Sequence, residues 1–425
     1  MQLISLRIEK LFDNFDYLIP LDNRKVSFLT GPNGYGKTII LNIIKSISKG
    51  ELYLFKNLPF KNIKLSTTSG FVELIKTRSS IKVILNKNEE VREKLISLIV
   101  DGFEGDDGLF SGENEVIDDG ISSVTGHGPD SDRFIKIFYN LNKSISDKKK
   151  KSESNFNVKF LKSNFPDDFI FFIKAERLDN LGGNVSIIDN RAEMLRELIN
   201  EVNDQSAAIS QKLDSTFPSR LFSSLKKSKS PNRSFLRERL FTLQERRKLY
   251  MASGLIESED VISADYDNET LDSSEFYTVL DLHISDAFQK LEPLENLYTK
   301  IKLFESSIKD KVMANKSVII SKEKGFYFNG VNNNVIDRNV LSSGEQNQIV
   351  ILFDLIFNAN KHKLILIDEP ENSLHIAWQQ DFLTSINKII ALNDFSQVII
   401  ATHSTSIIDH DWESVTDLYK LSQGR

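Results

Sequence analysis

The chain has 425 residues and a mass of 48.5 kDa, a length that favours a large core with more than one lobe. Its net charge of -6 argues against a globally basic nucleic-acid binder. It has no cysteine, so disulfides, thiolate zinc sites and cysteine nucleophiles are excluded, and its six histidines show no HExxH spacing. The sequence shows neither a signal peptide nor an uncharged run of membrane-spanning length, so we expect a cytoplasmic protein with no membrane partner.

Residues 1–86 alternate short apolar runs with turns, a pattern that predicts a β-rich lobe with a single helix. The strand candidates are ISLRI, YLIPL, VSFLT, FVELI and IKVIL. The chain then changes character: residues 101–133 hold ten acidic residues against one basic residue, which predicts an acidic loop. A calcium site in this loop is an alternative, although the segment lacks EF-hand spacing.

The second half of the chain shows helical and then alternating periodicity. A buried strand is predicted within residues 168–187, and helices within residues 190–248 are expected to pair as a hairpin. Strand patterns return at residues 298–304, 317–320 and 325–328. The C-terminal part then alternates a helix (QNQIVILFDLIF), a strand (KLILID), a helix (WQQDFLTSINKII) and a strand (QVIIATH). This order predicts a parallel sheet with crossover helices.

The segment GPNGYGKT matches the pattern GxxxxGK[ST] in full and lies between an apolar strand and an apolar helix. Glycine lets successive backbone N–H groups point inward around a phosphate chain, where side chains would block the approach. The following helix adds the positive end of its dipole. We expect Lys37 to bridge the β- and γ-phosphates of ATP and the Thr38 hydroxyl to bind Mg²⁺. The candidate nucleotide-binding residues are Gly31, Pro32, Asn33, Gly34, Tyr35, Gly36, Lys37 and Thr38.

Two acidic residues end the apolar strand of LILIDEPE. In a parallel sheet the carboxyl end of a strand opens onto the ligand crevice. We therefore expect Asp368 to hold the hydrated Mg²⁺ and Glu369, which faces the other way, to polarise the attacking water. His403, at the end of the strand in VIIATHS, is a candidate hydrogen-bond donor to the γ-phosphate.

The segment LSSGEQ, upstream of the acidic strand, predicts a second anion-binding turn. It offers a serine hydroxyl and glycine amides at the start of a helix. An ordinary helix cap by Ser342 or Ser343 is the alternative interpretation. Because residues 31–38 already supply one cradle, the second turn predicts two chains that face each other. Each would complete the nucleotide site of its partner with Ser342, Gly344 and Glu345.

These four motifs, in this order along the chain, resemble those of the ATP-binding-cassette (ABC) ATPases. The phosphate cradle resembles the Walker A motif, LSSGE the signature motif, the DEPE strand end the Walker B motif, and His403 the switch histidine. The match covers residues 1–50 and 335–410. The resemblance implies an α/β fold: an ABC-type P-loop ATPase with a mixed or parallel sheet core, an antiparallel β lobe and a helical insertion. It assigns residues 1–90 and 301–425 to the ATPase head and residues 91–300 to the insertion. It also implies ATP-driven closure of a head-to-head dimer with two composite sites.

The segment DEPENSLHIAWQ resembles the RecF-, SMC- and OLD-like soluble ATPases rather than transporter subunits. Transporter subunits carry a glutamine loop near the cradle and an aspartate after Walker B. This chain has no glutamine between Gln2 and Gln205, and His375 holds the aspartate position. The KAERL segment, residues 174–178, is a candidate replacement for the glutamine loop.

Within this branch, GPNGYGKT and the FIKAERL strand are similar to the ATPase components of bacterial anti-phage systems. The AriA family of the PARIS system is favoured, and the PtuA family of the Septu system is the alternative. The resemblance implies a homo-oligomeric sensor and scaffold that controls a separate effector nuclease, of the TOPRIM (AriB-like) or HNH type. Its expected trigger is a phage protein, such as an acidic mimic of DNA. The alternatives are a RecF- or SMC-like DNA-repair ATPase and a nucleotide-gated scaffold with little turnover.

Residues 226–248 carry nine basic and two acidic residues. This segment has three interpretations: a solvated helix face, a binding site for DNA phosphates or for an acidic protein that imitates them, and a contact with the chain's own acidic segment 101–133.

Overall fold

The computed structural model describes most of the chain. The described residues are 1–21, 24–87, 90–97, 161, 165–166, 168–175, 186–226, 231–256, 273–309, 316–330, 332, 334–359, 362–372 and 374–424. The acidic segment 101–133 and residues 176–178 of KAERL lie outside these ranges, so the interpretations of both segments stay predictions.

The described residues form fourteen β-strands and nine α-helices. The strands are β1 (Leu3–Leu11), β2 (Phe15–Pro20), β3 (Val26–Thr30), β4 (Asn62–Thr67), β5 (Gly70–Lys76), β6 (Ser80–Lys87), β7 (Glu90–Ser97), β8 (Ile170–Ile173), β9 (Lys316–Ser321), β10 (Gly325–Gly330), β11 (Val335–Ile336), β12 (Leu364–Asp368), β13 (Gln397–Ala401) and β14 (Val415–Asp417). The helices are α1 (Lys37–Lys49), α2 (Leu54–Asn57), α3 (Ile187–Leu225), α4 (Arg233–Ala252), α5 (Ser274–Lys309), α6 (Ser343–Phe353), α7 (Ile376–Asn393), α8 (Thr405–Ile408) and α9 (Leu418–Ser422).

The chain divides into two compact units. The first comprises Met1–Ala175, Lys361–Pro370 and Phe395–Arg425, and the second comprises Glu176–Asn360 and Glu371–Asp394. The first unit contains a five-stranded sheet of order β14-β3-β13-β12-β8, in which every neighbouring pair is parallel. It also contains an antiparallel sheet of order β2-β1-β4-β5-β6-β7. The predicted parallel sheet and β-rich lobe are therefore confirmed, while the sequence pattern did not predict β4, β7 and the short helix α2.

Helix α1 joins the two sheets of the first unit into one core. Gly36 precedes the helix and Gly50 follows it as caps, and both adopt left-handed backbone conformations. Its buried side chains belong to the same apolar cluster as buried residues of both sheets; the helix contributes Ile39, Ile40, Leu41, Ile43, Ile44 and Ile47. Each fully buried isoleucine stabilises the unit by roughly 1.5–3 kcal/mol relative to exposure. This packing fixes the start of α1, where the phosphate cradle lies.

The second unit is built on three long helices. Helices α3 and α4 each pack along α5, through ion pairs of Arg220 with Asp286 and of Arg239 with Asp281. The hairpin expected within residues 190–248 is therefore wrong: α3 and α4 pack mainly on α5 and not on each other. The strand predicted at residues 298–304 is wrong, because these residues belong to α5. The buried side chains there follow helical spacing (Leu297, Ile301, Phe304 and Ile308), and a short window such as YTKIKLF fits both periods.

A three-stranded antiparallel sheet, β11-β10-β9, packs in the same unit, which confirms the strand patterns at residues 317–320 and 325–328. Gly325 opens β10 at φ +67°, and a Cβ there would lie 1.8 Å from the Ala192 carbonyl oxygen of α3. Only glycine allows this close approach of strand and helix. Within the described ranges, the helices lack the combination of length and apolarity that crossing a membrane requires.

Candidate nucleotide-binding site

Three neighbouring strands of the parallel sheet bring the predicted motifs to one edge. β13 lies between β3 and β12, with Ala401 paired to both Leu29 and Asp368. The cradle follows β3, the acidic pair ends β12, and His403 follows β13. Because the carboxyl ends of parallel strands open on the same side, residues from distant parts of the sequence meet there.

The cradle depends on three glycines with positive φ. Gly31, Gly34 and Gly36 have φ angles of 143°, 88° and 86°, which disfavour any residue with a Cβ. A Cβ would approach the Leu418 Cβ to 3.3 Å at Gly31, and a leucine side chain of β1 to 3.2 Å at Gly36. A Cβ at Gly34 would have no described atom within 4 Å. The middle of the turn therefore faces open space, as a phosphate-binding turn requires.

The Lys37 side chain folds back over this turn and is only 5% exposed. Its Nζ donates to the Gly31 carbonyl oxygen at 3.0 Å and to the Pro32 carbonyl oxygen at 3.4 Å. It also lies 3.5 Å from Nδ1 of His403. The lysine charge is thus held at the mouth of the cradle by groups that phosphate oxygens can replace.

Thr38 and Asp368 are in direct contact, although 330 positions separate them in the sequence. The Thr38 hydroxyl donates to Asp368 Oδ1 at 3.0 Å, and Asp368 is only 2% exposed. A hydroxyl and a carboxylate are hard oxygen donors of the kind that Mg²⁺ prefers. The described residues contain no group of three or more histidine, cysteine, aspartate or glutamate side chains suited to a metal. This donor set fits a Mg²⁺ ion that takes its other ligands from phosphates and water.

Glu369 adopts a left-handed conformation (φ 42°), which is uncommon outside glycine, asparagine and aspartate. Its N–H donates to the Ala401 carbonyl oxygen at 2.8 Å, which holds the turn after β12 in place. Its carboxylate Oε1 lies 3.3 Å from Nε2 of His403. If Nε2 carries the proton and donates to Glu369, Nδ1 is left to accept from Lys37. These contacts connect the lysine, the histidine and the glutamate in one series.

An aromatic cluster that the sequence did not reveal borders the cradle. The Tyr35 ring lies 5.2 Å from Phe15 and 5.7 Å from Tyr419, centroid to centroid. The Tyr17 hydroxyl donates to the Tyr35 carbonyl oxygen at 3.0 Å. Burial strongly raises the pKa of Tyr17, so this hydroxyl stays protonated as a donor. Tyr35 lies inside the glycine motif and was the only signal in the sequence for this cluster.

The LSSGEQ turn (residues 341–346) belongs to the second unit. Ser342 is the N-cap of α6 and forms a capping box with Glu345, as the helix-cap interpretation of this segment predicted. Lys316 Nζ donates to Glu345 Oε1 at 2.6 Å, a contact that sequence reasoning missed. In the same unit, His375 is the N-cap of α7, and its Nδ1 accepts from the Ala377 N–H at 3.2 Å.

The basic segment is partly neutralised inside the second unit. Arg239 pairs with Asp281, Arg246 lies 3.3 Å from Glu295, and Lys248 pairs with Glu245. Residues 227–230 lie outside the described residues. The pairs with α5 show that part of this positive charge stabilises helix packing.

The geometry defines a class of protein. A strand, a GxxxxGK[ST] turn and a helix, together with a buried aspartate at the end of the next strand but one of the same parallel sheet, make a P-loop nucleoside triphosphatase. The family model described as an AAA ATPase domain matches residues 1–408. The chain belongs to this family and is a nucleotide-binding, ATP-hydrolysing enzyme. No curated protein matches the chain.

Similar solved structures are heads of SMC proteins. One is the Smc head domain with an extended coiled coil bound to the C-terminal domain of ScpA from Pyrococcus furiosus, with 13% identity, a TM-score of 0.38, and coverage of 96% of this chain and 91% of that chain. Another is the SMC head domain from Thermotoga maritima, with 11% identity, a TM-score of 0.33, and coverage of 98% and 94%. These identities and TM-scores are too low to carry a functional argument.

Proposed function

We propose that the chain binds Mg²⁺-ATP in the cradle of residues 31–38 and hydrolyses it with Glu369 as the water-activating residue. The observation that carries this proposal is the convergence of Lys37, Thr38, Asp368, Glu369 and His403 at one edge of the parallel sheet. These side chains have the chemistry that phosphoryl transfer requires: a cation, two metal ligands, a carboxylate and a hydrogen-bond donor.

In this proposal the side chains exchange their present contacts for contacts with the nucleotide. Lys37 moves its hydrogen bonds from the carbonyl oxygens of Gly31 and Pro32 to the β- and γ-phosphates. Thr38 and Asp368 would hold the metal, which when bound would offset the negative charge of the phosphates.

His403 donates to the γ-phosphate instead of to Glu369, and this frees the carboxylate to accept a proton from the attacking water. Glu369 is held for this task by its backbone bond to Ala401.

We further propose that two chains pair head to head, with the LSSGEQ turn of each chain facing the nucleotide of the other. Support comes from a second helix terminus of the kind that binds anions: Ser342 caps α6, and Gly344 and Glu345 lie in its first turn, where backbone N–H groups have no acceptor in the helix backbone. The first cradle lies in the other unit of the chain. The resemblance of the motif order to the ABC ATPases supports this pairing.

For the biological role, we propose a sensor and scaffold in anti-phage defence that controls a separate effector nuclease. The support is the similarity of GPNGYGKT and the FIKAERL strand to the ATPase components of anti-phage systems, of which the AriA type is favoured and the PtuA type is the alternative. Its trigger would be a phage protein. The competing role is a RecF- or SMC-like repair ATPase that binds duplex DNA, for which the basic segment 226–248 is the support.

Hydrolysis is tested by comparing the wild type with Lys37→Ala and Glu369→Gln. We expect Lys37→Ala to lose ATP binding, because the positive charge that contacts the turn's carbonyl oxygens is removed. Glu369→Gln should bind ATP but hydrolyse it about 10²–10⁴-fold more slowly, and should accumulate as a dimer in light scattering. Wild-type turnover in both variants would contradict the assignment of the site.

The biological role is tested by phage challenge of cells that carry the gene with its genomic neighbours. A neighbouring TOPRIM nuclease supports the AriA type, and an HNH nuclease supports the PtuA type. If Glu369→Gln still protects while Lys37→Ala does not, nucleotide binding rather than turnover is what defence needs. Salt-dependent binding of duplex DNA without any effect on phage growth would favour the repair role instead.

A further inference from the structure

The Glu345 carboxylate in the first turn of α6 is engaged on both of its oxygens. Oε2 accepts from the Ser342 N–H at 2.8 Å and from the Ser342 hydroxyl at 3.0 Å. Oε1 accepts from Lys316 Nζ at 2.6 Å. The Glu345 side chain is 15% exposed and the Lys316 side chain is 26% exposed. This is therefore a partly buried, charge-assisted arrangement rather than a solvated surface pair.

Lys316 reaches Glu345 because its backbone is fixed. It is the first residue of β9, where it pairs with Gly330 of β10. The turn before α6 is fixed independently: Arg338 donates to Asp189 Oδ1 of α3 at 2.8 Å and to the Phe326 carbonyl oxygen at 2.7 Å. The start of α6 is thus held between a strand on one side and a helix on the other.

The charge of the pair matters for an anion that approaches α6. Burial raises the pKa of the Glu345 carboxyl, but the hydrogen bonds from Lys316 and Ser342 outweigh this effect. The pKa therefore lies below its ordinary value. Glu345 is therefore ionised at neutral pH. An unneutralised carboxylate at the first turn of the helix would repel a phosphate, and Lys316 cancels that charge.

We infer that Lys316 is a positioning residue for the composite nucleotide site: it holds and neutralises Glu345, so that the N-terminal end of α6 presents a net attraction to the γ-phosphate of a partner chain. This inference rests on the proposed function, in which the LSSGEQ turn faces that phosphate. Lys316 does not contact the nucleotide itself; it acts through Glu345.

The test compares Lys316→Met, Lys316→Arg, Glu345→Gln and the double variant Lys316→Met/Glu345→Gln, using the full chain with Mg²⁺-ATP. Lys302→Met is the matched control, because Lys302 forms a similar ion pair with Glu305 at 2.8 Å within the second unit. The measurements are steady-state turnover, equilibrium binding of a fluorescent ATP analogue, and thermal unfolding followed by circular dichroism.

We expect Lys316→Met to lower turnover roughly fivefold at saturating ATP with unchanged nucleotide affinity, because the cradle that binds ATP lies elsewhere in the chain. Lys316→Arg should retain turnover, since arginine supplies the same charge. In the double variant the two effects should not add: it should turn over ATP at the rate of Glu345→Gln alone, because Lys316 acts through the Glu345 carboxylate. A role of Lys316 that is independent of Glu345 predicts additive losses instead.

Three results would overturn the inference: Lys316→Met turns over like the wild type, the losses of Lys316→Met and Glu345→Gln add in the double variant, or Lys302→Met is equally impaired. Failure of the proposed function looks different. In that case the wild type does not hydrolyse ATP, or Lys37→Ala hydrolyses it at the wild-type rate, whatever Lys316→Met does.

Discussion

Substitution of Thr38 by valine removes one hydroxyl at the candidate metal site and keeps the size of the side chain. The hydroxyl donates to the buried Asp368 carboxylate at 3.0 Å. Hydrogen bonds to charged groups contribute about 1.5–3 kcal/mol, and removing the donor leaves the carboxylate with one partner fewer. Threonine and valine have similar helix propensities, so α1 itself is little affected. We therefore expect Thr38→Val to lower the free energy of unfolding by about 1.5–3 kcal/mol without nucleotide.

The same substitution should also remove much of the stabilisation by ligand. A ligand at 100 times its dissociation constant stabilises the native state by about 2.7 kcal/mol. If Thr38 and Asp368 hold Mg²⁺ as proposed, the valine variant loses most of this increment. Chelating the metal with EDTA should reduce the increment in the wild type in the same way, whereas it should change the valine variant little.

The assay is urea unfolding followed by circular dichroism, with and without Mg²⁺-ATP. Thr38→Ser is the control: it keeps the hydroxyl, and we expect it to keep both the bond to Asp368 and the response to Mg²⁺-ATP. The reasoning is refuted if the valine variant equals the wild type in stability and in its response to Mg²⁺-ATP. It is also refuted if the serine variant loses both.

Two further predictions concern the first unit. Gln397→Leu should lower the free energy of unfolding by about 3 kcal/mol. The buried Gln397 amide forms hydrogen bonds with the Leu3 N–H, the Leu3 carbonyl oxygen and the Leu21 carbonyl oxygen at 2.7–2.8 Å, and leucine removes all three. Thermal unfolding checks this prediction, and an unchanged midpoint contradicts it. Burial lowers the pKa of Lys76 from its ordinary value of 10.5 to about 8. At pH values between these two, Lys76 is protonated more often in the unfolded chain than in the folded chain, so its contribution makes the free energy of unfolding rise with pH. Lys76→Met should lack this contribution, and urea unfolding at several pH values checks it.

Sequence reasoning succeeded for the fold where a single short segment carries a strong local signal. The cradle and the acidic strand end were found because an apolar strand, a glycine turn and an apolar helix are local signals. Their convergence followed from the rule that parallel strands end on the same side of a sheet. The contact of Thr38 with Asp368, across 330 positions, is therefore a consequence of topology that the motifs already implied.

Sequence reasoning failed where the period of a short segment was ambiguous. Residues 298–304 alternate well enough for a strand, yet they form part of a helix of 36 residues. Phe304 contacts Phe326 of β10 and Phe353 of α6, and this packing belongs to the helical arrangement of the second unit. No window of seven residues contains that information, because the deciding contacts come from strands and helices distant in sequence.

The contacts that surround the LSSGEQ turn were missed for a further reason: they involve side chains outside any motif. Lys316 meets Glu345 across 29 positions, and Arg338 meets Asp189 across 149 positions. Both meetings depend on strand register and on where a helix begins, which only the folded chain fixes. Lys316 and Arg338 look like ordinary surface charges in the sequence. Their geometry shows instead that charged residues outside the motif hold the LSSGEQ turn, and the variants of Lys316 test whether turnover depends on them.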